Sequence, residues 1–391
     1  MQVSQSIFLD GQSPHFPLSS QPQQTQQPRA GRLVLFFGSS SLLSNPANFH
    51  AVRQAFPDAV IAGCSTAGEI HGTTVSDDTM VVTVIDFEQT PVHFARVSIL
   101  EAAQSFSSGQ ALIESLPAKD LAHVLVFSDG LKVNGTELTR GLKAQLPAHV
   151  EVTGGLSADG ADFKKTLVCA NDVPAEGQIV AIGLYGPHIE VSYGSLGGWD
   201  SFGPDRQITR SAGNVLYDLD GKPALELYKN YLGEHAAGLP ATALLFPLSL
   251  RNAWQQGAEP GANGGVVRTI LGVNEADQSM TFAGDMPEGA YARLMKANFE
   301  RLIDGACGAA KICVHPMQNE AAELALLISC VGRKLVLKQR VEEEVEAVRE
   351  VLGQGTMLAG FYSYGEISPH MPGGPCELHN QTMTITTFRE A

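Results

Sequence analysis

The stretch AGCSTAGEI at residues 62–70 returns near the other end of the chain as AGFYSYGEI at residues 359–367, so that the frame A-G-x-x-x-x-G-E-I occurs twice. Matched sequence at matched positions predicts two related halves, and so two domains. Working outward from these turns, three segments share one plan. In the first, Leu33–Phe37 reads as a strand, Asn45 and Pro46 as the N-cap and first position of a helix, and Ala59–Gly63 as a return strand. In the second, the strand Val124–Phe127 leads through Ser128-Asp129-Gly130 to a helix opened by Asn134, and Val150–Gly154 returns. In the third, Leu324–Cys330 precedes a helix with Val341, Val345, Val348 and Leu352 on one stripe, and Met357–Gly360 returns.

A strand, a crossover and a second strand favour parallel pairing in right-handed βαβ units. Hairpins are expected between them, pairing Met80–Phe87 with Val92–Leu100, Gln178–Leu184 with Ile189–Gly194, and Val266–Val273 with Ser279–Ala283, so the sheets should be mixed. The fold class is therefore α/β, as two related domains with mixed β-sheets. Residues 12–28 are rich in Gln and Pro and predict a disordered leader, taken as 1–30. The break in pattern at GGWDSFGP (197–204) puts the domain junction near Gly203–Ile208, giving domains 31–205 and 206–391.

Composition narrows the class of function. A chain of 391 residues has room for about two cores of up to ~250 residues. A net charge of −15, with no basic run to offset it, argues against nucleic acid. The apolar runs are of strand length, short of the ~20 residues of a spanning helix, so no membrane insertion is expected. The start Met1-Gln2-Val3-Ser4-Gln5 does not look like a secretion signal, which predicts a cytoplasmic protein. Six cysteines without a C-x-x-C pair predict reduced thiols rather than a disulfide or zinc framework.

Several residues carry candidate chemistry. Gly63-Cys64-Ser65-Thr66-Ala67 approaches a nucleophile elbow, so a hydrolase using Ser65 or Cys64, with His71 as base, is one reading. The segment runs on as GEIHGTT, a poor helix former, whereas an elbow leads into a helix. The other reading is a glycine turn that leaves space beside the backbone for a ligand or for packed side chains. TGGLSADG (153–160) lacks the Gly-Lys-Ser/Thr ending of a phosphate loop, and Cys313-Val314-His315 has no second pair to complete a zinc site. In the C-terminal run CELHNQTMTIT (376–386), strand alternation sets Glu377, His379 and Gln381 on one face, where the neighbours could fix the His379 tautomer.

GCSTAGEI, VFSDG (126–130), TGGLSADG, ISCVGRKLVL (328–337), GFYSYGEISP (360–369) and CELHNQTMTIT together resemble the FIST family of bacterial sensory proteins, over nearly all of residues 32–390. The resemblance implies a cytoplasmic sensor in signal transduction, not an enzyme, with a histidine kinase or cyclic-di-GMP enzyme as partner. Length and C-terminal pattern further resemble the NosP-type nitric oxide sensors, which implies non-covalent haem b held by His379, with His370 and His71 as the other axial candidates. Family membership alone is also compatible with sensing a small metabolite such as an amino acid. Open α/β sheets bind ligands at the carboxyl ends of their strands. The expected ligand contacts are accordingly Cys64, Ser65, Glu69, Ser363, Tyr364, Glu366 and Asn380.

Overall fold

A computed structural model of the chain describes residues 1–9, 29–239, 241–251, 266–314, 321–370 and 373–391. The α/β class with mixed sheets holds. The parallel pairs are the three expected ones: Gly31–Gly38 with Val60–Ser65, Leu121–Ser128 with Glu151–Leu156, and Leu324–Cys330 with Met357–Ser363. Asn45 caps the helix Pro46–Ala55 by accepting from the Ala47 amide, and Asn134 caps Gly135–Gln145 by accepting from the amides of Thr136 and Glu137.

Each parallel pair is the centre of its own sheet, and the three sheets are built alike. On one side of the pair lie two antiparallel strands: Thr79–Phe87 then Gln2–Leu9 in the first sheet, Gln178–Tyr185 then Val92–Ser98 in the second, and Met383–Glu390 then Ile189–Leu196 in the third. On the other side lies a strand borrowed from the next unit. Glu69–His71, which follows the first turn, pairs with Met357–Ser363; Gly365–Pro369, which follows the third turn, pairs with Glu151–Leu156; and Val168–Ala170, which follows the second, pairs with Val60–Ser65. The domains thus interlock by exchanging strands, and the repeat has three copies rather than the two visible as identity.

The three inner faces share one core. Leu33, Leu35 and Phe37 pack there with Leu125, Phe127, Leu326, Ile328 and Phe361, and ring centroids lie 4.6 Å apart for Phe37 and Phe361 and 5.4 Å for Phe37 and Phe127. Val34 and Phe36, pointing the other way, pack under the helix Pro46–Ala55. Because both faces are covered, these strands read as unbroken apolar runs rather than alternating ones. Residues 200–296 form a further eight-stranded sheet with its own core around Leu216, Tyr228, Leu248 and Phe282. No helix among the described residues is long and apolar enough to cross a membrane.

Several expectations need correction. Met80–Phe87 and Val92–Leu100 are strands but do not form a hairpin, since Thr79–Phe87 joins the first sheet and Val92–Ser98 the second. Gln178–Tyr185 and Ile189–Leu196 likewise belong to different sheets; of the third hairpin, Ile270–Asn274 pairs with Ser279–Phe282, while Val266–Arg268 is a separate strand paired with Leu248–Arg251. Residues 2–9, counted with the leader, are a strand antiparallel to Thr79–Phe87, while residues 10–28 lie outside the described residues. The junction placed near Gly203–Ile208 falls inside the continuous strand Asp200–Ala212.

Glycine is required where each parallel pair is tightest. A Cβ at Gly63, Gly154 or Gly360 would stand 1.8, 1.9 or 1.8 Å from the carbonyl oxygen of Phe36, Val126 or Leu327. Gly360→Ala, at a φ of 157°, is therefore expected to lower the unfolding free energy by about 3 kcal/mol or more, combining overpacking with backbone strain. Urea denaturation checks this, and an unshifted midpoint would refute the assigned tightness of the pair.

Candidate functional site

The turns that follow the return strands hold two buried carboxylates in the same way. The Thr66 hydroxyl donates to Glu69 from three residues back, and Thr79 donates to the other Glu69 oxygen through its amide at 3.3 Å and its hydroxyl at 2.6 Å. Ser363 donates to Glu366 at 2.7 Å, and Thr382 donates through its amide at 3.3 Å and its hydroxyl at 2.9 Å. Burial pushes Glu69 up to about 7 and Glu366 up to about 8, against the lowering effect of these hydrogen bonds. In the second turn Gly160 stands where the carboxylate would be. There Ser157 Oγ is buried without a partner, and Asp159 instead accepts from the amides of Phe163, Lys164 and Lys165 and from the Tyr364 hydroxyl.

Beside the third turn lies a cavity of about 420 Å³. Its walls come from three places: Gly197 to Trp199 after the strand Ile189–Leu196, Ser249, Val267 and Met295 of the 200–296 sheet, and Arg301, Asp304 and Gly305 of the helix Phe299–Val314. His370, His379 and Thr382 complete it, so the Glu366 cradle reaches the cavity through Thr382. The two imidazoles meet edge to face with centroids 4.0 Å apart. His379 Nε2 lies 2.6 Å from the Ser368 carbonyl oxygen; burial, then the His370 ring, hold its pKa well below the ordinary value, so it is neutral with the proton on Nε2. Ser249 Oγ and His370 Nε2 are buried without partners, and so are polar atoms of the adjoining Arg251, Asn380 and Gln381. A second cavity, of about 380 Å³, lies at the first turn between Thr66, Gly68, Glu69, Asp77, Asp159 and Lys165.

The residues singled out from sequence separate between these places. Glu69 lines the first-turn cavity. Glu366 and Ser363 lie behind Thr382. Tyr364 belongs to the second turn, stacked on Phe163 with centroids 4.4 Å apart and bonded to Asp159. Asn380 donates to the Tyr364 carbonyl at 3.4 Å. Cys64 is buried in the shared core, its thiol pushed well above the ordinary value by desolvation. Ser65 Oγ accepts from the Leu167 amide at 2.9 Å, and no histidine among the described residues hydrogen-bonds to Ser65 or Cys64. The chain runs from Ser65 into a strand, not the helix an elbow needs. His71 is half-buried in the third sheet, on a strand paired with Met357–Ser363 on one side and with the edge strand Thr74–Ser76 on the other, and it does not line the cavity with His370 and His379.

Gln381 does not continue the face of Glu377 and His379: the strand ends at His379, and Gln381 turns at a φ of 63°. All six cysteines are free thiols, and His315 lies outside the described residues. Sequence reasoning missed Ser249, Trp199 and Asp304. Ser249 sits in the plain strand Leu248–Arg251, with nothing local to mark it, whereas Trp199 lay within the stretch set aside as a domain break.

The buried carboxylates make stability depend on pH. From about pH 6.5 to pH 8 the native state keeps protons on Glu366, and in part on Glu69, that the unfolded chain has released. Stability then falls as pH rises, by about 1.4 kcal/mol per pH unit for each group still protonated. Below about 6.5 the buried neutral His123, lowered to about 3, and His379 act in the opposite sense, because there the unfolded chain binds the extra protons. Glu366→Gln is expected to flatten the fall between pH 6.5 and 8 in urea denaturation at half-unit steps; equal slopes for variant and parent would contradict the assignment.

The model of the FIST N domain matches residues 32–222 and that of the FIST C domain residues 224–369. An uncharacterized protein of Methanocaldococcus jannaschii is 23% identical over 323 residues, which are 76% of this chain and 59% of that relative, so the chain spans about three-fifths of the relative's length. A solved cyanuric acid hydrolase from A. caulinodans aligns over 99% of this chain and 98% of its own at 8% identity, but its TM-score of 0.38 carries no argument. With two domain models lying end to end across residues 32–369, the chain belongs to the FIST family of sensory signal-transduction domains.

Proposed function

We propose that this protein senses a small molecule held in the 420 Å³ cavity beside the third turn, and that it binds without turning the molecule over. The observation that carries the reading is that Ser249 and His370, which line one cavity from separate elements, each keep a buried polar atom without a partner, Ser249 Oγ and His370 Nε2. A buried polar group without a partner costs about 1–3 kcal/mol, so a cavity that keeps two is built for a guest that pairs them. A small metabolite such as an amino acid is of suitable size. The readout would pass in the cytoplasm to a signalling protein such as a histidine kinase or a cyclic-di-GMP enzyme.

Haem is a second reading, favoured by the same free His370 nitrogen. His370 would hold the iron and Trp199, Val267 and Met295 would offer apolar wall. Bound haem would supply an open iron position for nitric oxide. His379 is the poorer ligand, because its Nε2 already donates to Ser368.

A thermal-shift screen of small metabolites on the full chain is expected to give compounds that raise the melting temperature, as native-state binding requires. Val267→Trp, which fills the cavity from its half-buried wall, is expected to abolish the shift while circular dichroism stays native. Hits that still bind Val267→Trp would place the ligand elsewhere. In the haem arm, added hemin should give a Soret band that His370→Ala weakens and His379→Ala spares; no stoichiometric band removes that reading.

A further inference from the structure

The atoms without partners also restrict the chemistry of the guest. His370 Nδ1 lies 3.4 Å from the Ser195 carbonyl oxygen, and a carbonyl only accepts. In the neutral ring the proton is therefore on Nδ1, and Nε2, in a residue that lines the cavity, keeps a bare lone pair without a partner. His379 cannot satisfy it, because the one ring proton of that neutral imidazole is on the Nε2 given to Ser368. Ser249 Oγ can accept as well as donate. Charge at the rim points the same way. Arg301 is neutralised by Asp200 at 2.8 Å, whereas Asp304, exposed on the next turn of the helix, has no ion-pair partner among the described residues.

We infer that the cavity selects a small ligand with a cationic N–H group, a primary ammonium or a guanidinium, whose hydrogens reach His370 Nε2 and Ser249 Oγ and whose charge faces Asp304. The inference rests on the cavity being the ligand site, as proposed above. A carboxylate or phosphate in the same position would oppose its own lone pairs to the His370 nitrogen and to the Asp304 carboxylate, and of the nearby cations Arg251 already faces Asp205 at 4.0 Å and Arg301 is paired with Asp200. A molecule that also carries a carboxylate would enter with its ammonium end inward.

Calorimetric titration of the full chain tests this with putrescine, ethanolamine and agmatine on one side, and acetate, succinate and inorganic phosphate at equal ionic strength on the other. Saturable binding of at least one amine and none of the anions is expected. His370→Ala should weaken amine binding by roughly 10-fold or more, the loss of a hydrogen bond to a charged group. Asp304→Asn, on the exposed rim and so without risk to folding, should weaken it by roughly 3-fold. Anions binding as well as amines, no amine binding, or amine affinity unchanged by Asp304→Asn overturns the inference. Val267→Trp separates the two claims. Anion binding that it abolishes leaves the cavity as the site and removes the cationic class, whereas amine binding that survives it removes the site itself.

Discussion

Three backbone hydrogen bonds at the centre of the molecule hold its three sheets in register. Ala67 donates to the Tyr362 carbonyl at 2.8 Å, Tyr364 to Leu156 at 3.3 Å, and Ala158 to Ser65 at 2.9 Å. In each case one turn donates to the return strand of the next, and the three links close a cycle. Buried amides and carbonyls must be paired, and here the partner always belongs to another unit. No turn can therefore satisfy its backbone alone. The strand exchange and the close glycine pairs follow from this constraint, since each chain must leave its own sheet at the turn and enter its neighbour's.

The same constraint ties the cavity to the centre. Arg333 is fully buried: its Nη2 and Nε donate to Glu344 at 2.7 and 3.0 Å, Nη2 donates also to the Leu302 carbonyl at 2.7 Å, and Nη1 donates to the Gly197 carbonyl at 2.5 Å. Glu344 also accepts from Ser329 at 3.1 Å and from the Tyr362 hydroxyl at 2.6 Å. An ion pair in the interior is tolerated when further hydrogen bonds engage its remaining donors and acceptors, and here each Arg333 nitrogen and both Glu344 oxygens have partners. Gly197 is cavity wall and Tyr362 belongs to the central cycle, so one hydrogen-bonded network spans the distance between them.

Local features of the chain were readable from sequence, and contacts between distant residues were not. The three strand–helix–strand units, the Asn45 and Asn134 caps and the α/β class each depend on neighbouring residues, and each was legible. The expected hairpins failed because adjacency in sequence was taken for adjacency in a sheet, while Thr79–Phe87 pairs with Gln2–Leu9, some 75 residues away. The third copy of the turn went unrecognised because Gly160 replaces the glutamate that makes the other two conspicuous. Glu69 and Glu366 were singled out as expected ligand contacts, but their threonine partners at positions 79 and 382 lie at different spacings, 10 and 16 residues on, and no motif search would align them. Ser249 had no signal at all, since its significance lies wholly in what it fails to touch.

A sensor must bind its ligand differently in two states, because a ligand indifferent to the change cannot drive it. The cavity is placed where such a difference can arise. The 200–296 sheet has its own core and meets the rest of the protein beside the cavity through a small cluster of Trp199, Met295, Leu302, Val336 and Leu337. Trp199 and Met295 also line the cavity, so a guest held there would pack against the joint itself. Ser249 belongs to the inserted sheet, and His370 and Thr382 to the interlocked sheets, so a guest pairing both sets at once would fix one placement of the two bodies relative to each other. The interlocked sheets cannot yield without breaking the central cycle, whereas the joint is held by that cluster and by side-chain hydrogen bonds from Arg268 to the Leu378 carbonyl, from Gln381 to Thr269 and from Asn134 to Asp285. Binding energy would therefore be expressed most easily as movement of the inserted sheet.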